Sequence, residues 1–246
     1  MTKKETRTLI LFGVSIIFAN LVLRLLLKPL PEEIAYLIKT LVLGCGYYFL
    51  VHKRLGLKIN STKKISWYET LSVCWLVLLA DFFYLSAGAF GIIKAPHMIG
   101  TALTIALGAG FFEEYVSRGL FLKIAFQDGV KSSKQVLGVV LLSALSFGLA
   151  HLVNLTHQPL NATLFQVYYA TAIGIFYAAI YLRTGSLWWT IVLHCLIDFA
   201  SVLLSQSTQA APATSVWNFI VWLPLIAIGL FLIRPKKLKA IRYLND

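Results

Sequence analysis

Eight stretches of apolar residues, each close to bilayer length, decide what this chain can fold into. They run over 8–27, 34–51, 67–87, 98–124, 135–154, 163–182, 187–205 and 216–233. At 1.5 Å per residue, about 20 apolar residues of helix match the hydrocarbon core. Lipid offers no partner to backbone N–H and C=O groups, so each segment must bond its own, as a helix does. The expectation is an all-α polytopic membrane protein with about eight transmembrane helices. The connections are short and marked by turn residues: Pro29 and Pro31, Lys94-Ala95-Pro96, Asp128-Gly129, Gln158-Pro159, Thr184-Gly185 and Ala211-Pro212. They leave no room for a soluble domain, so residues 1–246 are expected to form a single membrane domain.

Charge placement tests the count of eight. Charged residues are 13% of the chain and hydrophobic ones 59%, whereas a soluble domain carries about a quarter charged residues. With a cytoplasmic N-terminus, the two tails and the second, fourth and sixth connections share one side. Those segments hold seventeen Lys and Arg, and the opposite loops hold only Lys28 and Lys94. A missed span would invert every later loop, so the split supports eight spans with both termini in the cytoplasm. It also accounts for the net charge of +12. A nucleic-acid partner is excluded, because the basic residues are dispersed and show no interleaving with aromatics. The first apolar run reaches Leu27 without a small-residue cleavage site, which reads as an uncleaved first span. Cys45, Cys74 and Cys195 lie in apolar segments without CxxC spacing and read as buried free thiols.

Against this background the intramembrane charges stand out. Glu113 and Glu114 interrupt the fourth segment, with Arg118 four residues after the second glutamate. Glu114 and Arg118 share a helical face and can pair, which lowers the cost of both charges in lipid. Glu113 points about 100° away and has no partner on its own helix. A carboxylate so placed suits general acid/base work, although a purely structural cluster fits the spacing equally. The fifth segment ends in Phe147-Gly148-Leu149-Ala150-His151. The seventh carries His194 and Asp198, again one turn apart. Each of these alone also fits a packing role. Counted from the helix ends, Glu113, His151 and His194 fall within a common zone roughly 15 Å deep. One glutamate, two histidines and an aspartate around an intramembrane cavity can polarise a water. Either Glu113 removes its proton directly, or a metal held by the His and carboxylate groups activates it.

At these residues the chain resembles the CAAX protease and bacteriocin-processing (CPBP, or Abi) family of intramembrane proteases. The family's EExxxR, FxxxH and HxxxN/D motifs correspond to Glu113-Glu114-Tyr115-Val116-Ser117-Arg118, Phe147 to His151 and His194 to Asp198, in the expected order. The resemblance covers about residues 98–205, the expected catalytic core. It implies an intramembrane endopeptidase in which Glu113 is the general base. His151 would position the water, and His194 and Asp198 would stabilise the oxyanion or complete the water site. Glu114, Arg118 and Phe147 would be supporting residues. It leaves open whether zinc is used, held by Glu113, His151, His194 and Asp198, or the glutamate acts without metal. Asp198 stands where the family also admits Asn, and its added negative charge leans toward a metal.

The implied partners are membrane lipids and a membrane-associated or lipid-modified peptide or protein. The implied roles are bacteriocin maturation or self-immunity, or CAAX-type processing, in a bacterial cell membrane. Two readings compete: a proton-coupled transporter using the same groups, and a catalytically silent scaffold. Outside the motifs, Asp81 and Lys39 are read as a cross-helix pair, as snorkelling side chains or as cavity-lining groups. Arg24 reads as a snorkelling residue, and Trp188 with Trp189 as an interfacial anchor. Asn161, Gln166, Tyr168 and Tyr169 are further residues that could line the cavity.

Overall fold

The computed structural model describes residues 3–54, 66–127 and 129–240. Lys58, Lys63, Lys64, Asp128 and Arg242, used above in the charge and turn arguments, lie outside the described residues. Within them there is no strand. The α-helices are α1 (Lys3–Leu27), α2 (Glu32–Phe49), α3 (Trp67–Lys94), α4 (Ile99–Glu114), α5 (Phe121–Ala125), α6 (Ser133–Ala150), α7 (Leu160–Thr184), α8 (Trp188–Ser205), α9 (Trp217–Ile220) and α10 (Leu223–Leu232).

A π-helical turn, Tyr115–Leu120, joins α4 to α5, and a 3₁₀ stretch, His151–Thr156, prolongs α6. With α9 and α10 taken together, the eight expected segments each correspond to one helical run. Five of the runs are long and apolar enough to cross a membrane: Thr6–Leu27, Trp67–Lys94, Ser133–Thr156, Leu160–Thr184 and Trp188–Ser205. Ile34–Phe49 and Trp217–Leu232 are shorter. The fourth run is interrupted by the π turn, which follows Glu113 and Glu114 and carries Arg118.

Local sequence explains several boundaries. The Ser66 and Ser132 side chains cap α3 and α6 by accepting from the backbone N–H groups of Glu69 and Gln135, each at 3.2 Å. Both are the Ser-x-x-Glu/Gln pattern of a capping box, and at α6 Gln135 Oε1 also accepts from the Lys131 N–H at 2.7 Å. Gly185 ends α7 with φ +68°, a left-handed position that glycine takes without a Cβ clash.

The centre of the bundle is α7, buried along Gly174–Thr184 and packed against α6 on one side and α10 on the other. Its alanines and glycine allow close approach, the packing mode that replaces the hydrophobic effect in lipid. A second unit is α8, packed against α3 and α4. Large apolar side chains such as Phe18, Leu25, Phe82 and Ile93 point outward, as expected for a surface that meets lipid.

The helix ends sort into two groups. At one end Arg24 of α1, His157 after α6 and Gln209 after α8 meet: Arg24 Nη2 lies 3.2 Å from His157 Nδ1, and Gln209 Nε2 donates to the His157 carbonyl at 3.1 Å. At the other end Arg183 donates to the Leu232 carbonyl at 3.2 Å. Both meetings are those that alternating spans require.

The cysteines are free, as expected, but not all buried: Cys74 is buried, Cys195 partly so, and Cys45 exposed on the outer face of α2. An exposed thiol on a lipid-facing helix is no less apolar in its surroundings, so the correction concerns packing only. Trp188 is half-exposed at the start of α8, edge-on to Phe111 at 5.8 Å.

Candidate active site

The site is built where α4 and α8 cross. The crossing is close because Gly110 has no side chain: a Cβ there would lie 3.1 Å from the Cys195 backbone nitrogen and 3.2 Å from the Ile191 carbonyl. One turn after Gly110 come Glu113 and Glu114, and facing them on α8 comes His194, beside Cys195. The close approach therefore brings the two motifs together.

Glu114 and Arg118 form the expected ion pair at 2.8 Å, and both are fully buried. Glu114 does more than brace its own helix, however. The same Oε1 atom accepts from His194 Nδ1 at 3.0 Å. An ionised carboxylate only accepts, so this bond fixes the proton on Nδ1 and turns Nε2 toward the other side. There Nε2 meets Asp198 Oδ2 at 3.6 Å and Glu113 Oε2 at 3.9 Å. Both distances exceed a direct hydrogen bond and match groups bridged by a small molecule such as water. Glu113 and Asp198 remain 29% and 26% exposed, while His194 is 12% exposed. Three carboxylates thus surround one imidazole, one sealed and two accessible.

Phe147 covers the sealed side. The Arg118 guanidinium lies 4.3 Å above its ring and 5.4 Å from that of Tyr177. Arg118 Nε and Nη2 have no hydrogen-bond partner, so these aromatic faces supply the remaining stabilisation of the buried cation. The Phe147 ring is also edge-on to His194 at 6.2 Å and to His151 at 5.1 Å. The histidine of the second motif is thereby held near the first two without touching them. No hydrogen bond or ion pair joins His151 to Glu113, His194 or Asp198. Its Nδ1 donates to the Phe147 carbonyl at 2.9 Å, which leaves Nε2 with a free lone pair.

Sequence reasoning missed two contributors. Tyr177, 6.0 Å from His194 ring to ring, closes the site from α7. Ser143 of α6 donates to the Ser117 carbonyl at 2.8 Å, inside the π turn. A π turn disturbs the regular ladder of backbone bonds, and such turns gather at functional sites. No sequence signal marks either residue. Asp81 and Lys39 do not pair: Asp81 Oδ1 has no hydrogen-bond partner, and the Lys39 ammonium lies 4.9 Å over the Tyr36 ring. Among the outlying candidates, Gln166 accepts from Asn154 at 2.9 Å, Asn161 Oδ1 accepts from the Ala162 N–H at 2.9 Å in the first turn of α7, and Tyr168 donates to the Phe219 carbonyl at 2.8 Å. Tyr169 stacks on Trp222 with centroids 5.4 Å apart.

Among the described residues no group of three or more His, Cys, Asp and Glu side chains has an arrangement that would hold a metal. His194 offers only Nε2, because Nδ1 is committed to Glu114.

Residues 95–200 match the family model of the Rce1-like proteins, the type II CAAX prenyl endopeptidases. Over that segment the chain is similar to the CAAX protease family. The matched segment contains all three motifs and the whole α4–α8 crossing. The activity of that family is that of an intramembrane protease, which favours the protease reading over the transporter one. The matched segment lies in an integral membrane protein, in keeping with the five long apolar helices. No curated protein and no solved structure matches the chain.

Proposed function

We propose that the chain is an intramembrane endopeptidase that hydrolyses a peptide bond with a water activated by Glu113. The observation that carries this reading is the double use of His194: Nδ1 is fixed on buried Glu114, and Nε2 faces accessible Glu113 and Asp198. The water sits between Glu113 and His151 Nε2. Glu113 takes its proton as the oxygen attacks the carbonyl carbon of the scissile bond. The carbonyl oxygen becomes an oxyanion, which accepts from protonated His194 Nε2. Asp198 holds the ring. Glu113 then passes the proton to the amide nitrogen, the C–N bond breaks, and a carboxylic acid and an amine leave.

The substrate is a membrane-associated or lipid-modified peptide or protein. The setting is a bacterial cell membrane with both termini in the cytoplasm, and the role is bacteriocin maturation, self-immunity or CAAX-type processing. The sorting of helix ends into two groups supports the alternating topology. The test is cleavage in proteoliposomes, with products identified by mass spectrometry. Two probes are used, a farnesylated peptide and an unprenylated peptide tethered by an acyl chain. The expected result is a single cut in one of them. Undiminished cleavage by Glu113→Gln would remove Glu113 as the base.

A further inference from the structure

The site draws its groups from two units of the bundle. Glu113, Glu114, His194 and Asp198 lie on α4 and α8, which pack with α2 and α3. Phe147, His151 and Tyr177 come from α6, its 3₁₀ extension and α7, which packs with α10. His151 spends its hydrogen bond on the Phe147 carbonyl of its own unit. The gap across which Glu113 and His151 would share a water therefore depends on how the two units stand. At the centre they are pinned by the Arg118 guanidinium against Phe147 and Tyr177, and by Ser143 on the Ser117 carbonyl.

Beyond His151 a second tie crosses between them. His157 closes the 3₁₀ stretch, six residues on, or about 12 Å at the roughly 2.0 Å rise of such a turn. Its ring Nδ1 lies 3.2 Å from Arg24 Nη2 of α1, and its carbonyl accepts from Gln209 Nε2, after α8, at 3.1 Å. Because α1 packs on α2, both contacts run from His157 to the other unit. The stretch itself is tied to α7. The Asn154 side chain donates to Gln166 at 2.9 Å, and the Asn154 carbonyl accepts from the His157 and Gln158 N–H groups at 2.9 and 2.8 Å.

A guanidinium only donates, so the Arg24 contact uses the Nδ1 lone pair of a neutral imidazole. Thr156 Oγ1 stands 3.1 Å from the same Nδ1 and gives its own proton to the Val153 carbonyl at 2.9 Å. A protonated Nδ1 would meet the Arg24 cation on one side and an acceptor within its own turn on the other. One proton thus moves the His157 ring from α1 to the 3₁₀ turn. Arg24 is the charged group that faces the ring; Thr156 and Gln209 are uncharged. We propose that Arg24, His157 and Gln209 form a proton-sensitive clasp that holds the unit carrying His151 at its working distance from Glu113. His157 is a positioning residue and touches no reacting atom. The clasp is complete above about pH 6.5, the ordinary midpoint of a histidine, and opens as the pH falls below it. Gln209 keeps its hold on the carbonyl, so opening loosens the stretch without parting the units. The effect on catalysis rests on the protease reading; the clasp itself does not.

The test uses the full chain in phosphatidylcholine nanodiscs. Hydrogen exchange at residues 151–157 is compared at about pH 7.5 and about pH 5.5, corrected for the intrinsic rate. In the wild type, protection there should fall about threefold to tenfold at the lower pH. The upper limit is the roughly one-tenth of a free histidine that stays neutral one unit below its midpoint. Residues 174–184 of α7 should keep their protection. His157→Gln offers Arg24 an amide carbonyl in place of Nδ1 and should hold protection at both pH values. Arg24→Leu should lower it at both. Cleavage of the probe peptides is then followed over the same range. Glu113, His194 and Asp198 are present in both proteins, so the ratio of His157→Gln to wild type isolates the clasp. That ratio should be about one at the higher pH and about threefold or more at the lower, in kcat rather than KM. Wild-type protection that ignores pH, unaltered exchange in Arg24→Leu, or a ratio that stays constant would each overturn the proposal. If exchange responds as stated but neither protein cuts a probe, the protease reading fails and the clasp stands.

Discussion

The two sides of the His194 ring are built on opposite principles. On the Nδ1 side Glu114 and Arg118 are completely buried, paired at 2.8 Å and roofed by Phe147 and Tyr177. On the Nε2 side Glu113 and Asp198 keep a quarter or more of their side-chain surface accessible and stand 3.6–3.9 Å from the ring. Adjacent glutamates on one helix thus live in different media. The sealed side can fix a tautomer because nothing competes for its hydrogen bonds. The open side can do chemistry because its groups are not used up in bonding one another.

The comparison is broken most directly by neutralising each glutamate in turn. Glu113→Gln removes the proposed base from the open side, where it has no direct hydrogen bond to lose. The expected result is a loss of about 10³-fold in kcat, the equivalent of about 4 kcal/mol, with an unaltered melting temperature in detergent. A large fall in stability would show that Glu113 belongs to the sealed side after all.

Next in size is the sealed side. Glu114→Ala leaves Arg118 as a buried cation with only aromatic faces around it, at an expected cost of about 3 kcal/mol in stability. The double variant Glu114→Met/Arg118→Met removes both charges and should recover most of that loss, because apolar replacement of a buried pair is often neutral. Activity should not return, since His194 Nδ1 would have no acceptor. Recovery of activity in the double variant would show that the pair serves the fold alone. Melting temperature and proteoliposome cleavage, measured on the same preparations, separate the outcomes.

This division of labour was half legible in the sequence. The i, i+4 spacing of Glu114 and Arg118 gave the ion pair, because a helix makes that geometry local. The absence of a local partner singled out Glu113 for the same reason. What spacing could not give was the bond from His194 to Glu114, which depends on how two helices cross eighty residues apart. The eight helical runs were likewise legible from apolar blocks. The π turn at Tyr115–Leu120 was not, because no local residue pattern marks it and its Ser117 carbonyl accepts from a residue of another helix. Lys39 and Asp81 were visible as anomalies, but pairing between them was a guess about tertiary contact, and the structure separates them.

A smaller effect probes the crossing that lets one imidazole touch both sides. Gly110→Val places a branched side chain against the Cys195 backbone and the Ile191 carbonyl. Relief requires α4 and α8 to move apart, at an expected cost of about 2 kcal/mol. Activity should fall by more than stability explains, because the His194–Glu114 bond and the Glu113–His194 gap widen together. Gly108→Ala serves as a control for crowding on the same helix, since it presses on Tyr36 of α2 and leaves α8 alone. If the two variants lose activity equally at matched stability, the α4–α8 distance is not what couples the two sides.

The smallest effect concerns what holds the π turn that follows Glu114 and carries Arg118. Ser143 donates to the Ser117 carbonyl across the contact between α6 and the π turn, at 2.8 Å and buried. Ser143→Ala leaves that carbonyl without its cross-helix donor, a loss of about 1 kcal/mol. The carbonyl is an acceptor with two lone pairs, so part of the loss is absorbed by the helix itself. The turn sets the register between Glu114 and Arg118. Loosening it should therefore raise hydrogen exchange at residues 115–120 more than elsewhere in the bundle, with a modest fall in kcat. Ser143→Thr keeps the hydroxyl and should restore protection there. Uniform exchange across α4, α5 and α6 in Ser143→Ala would mean that the serine stabilises the packing of α6 as a whole. The π turn would then be held by Arg118 and its aromatic roof alone.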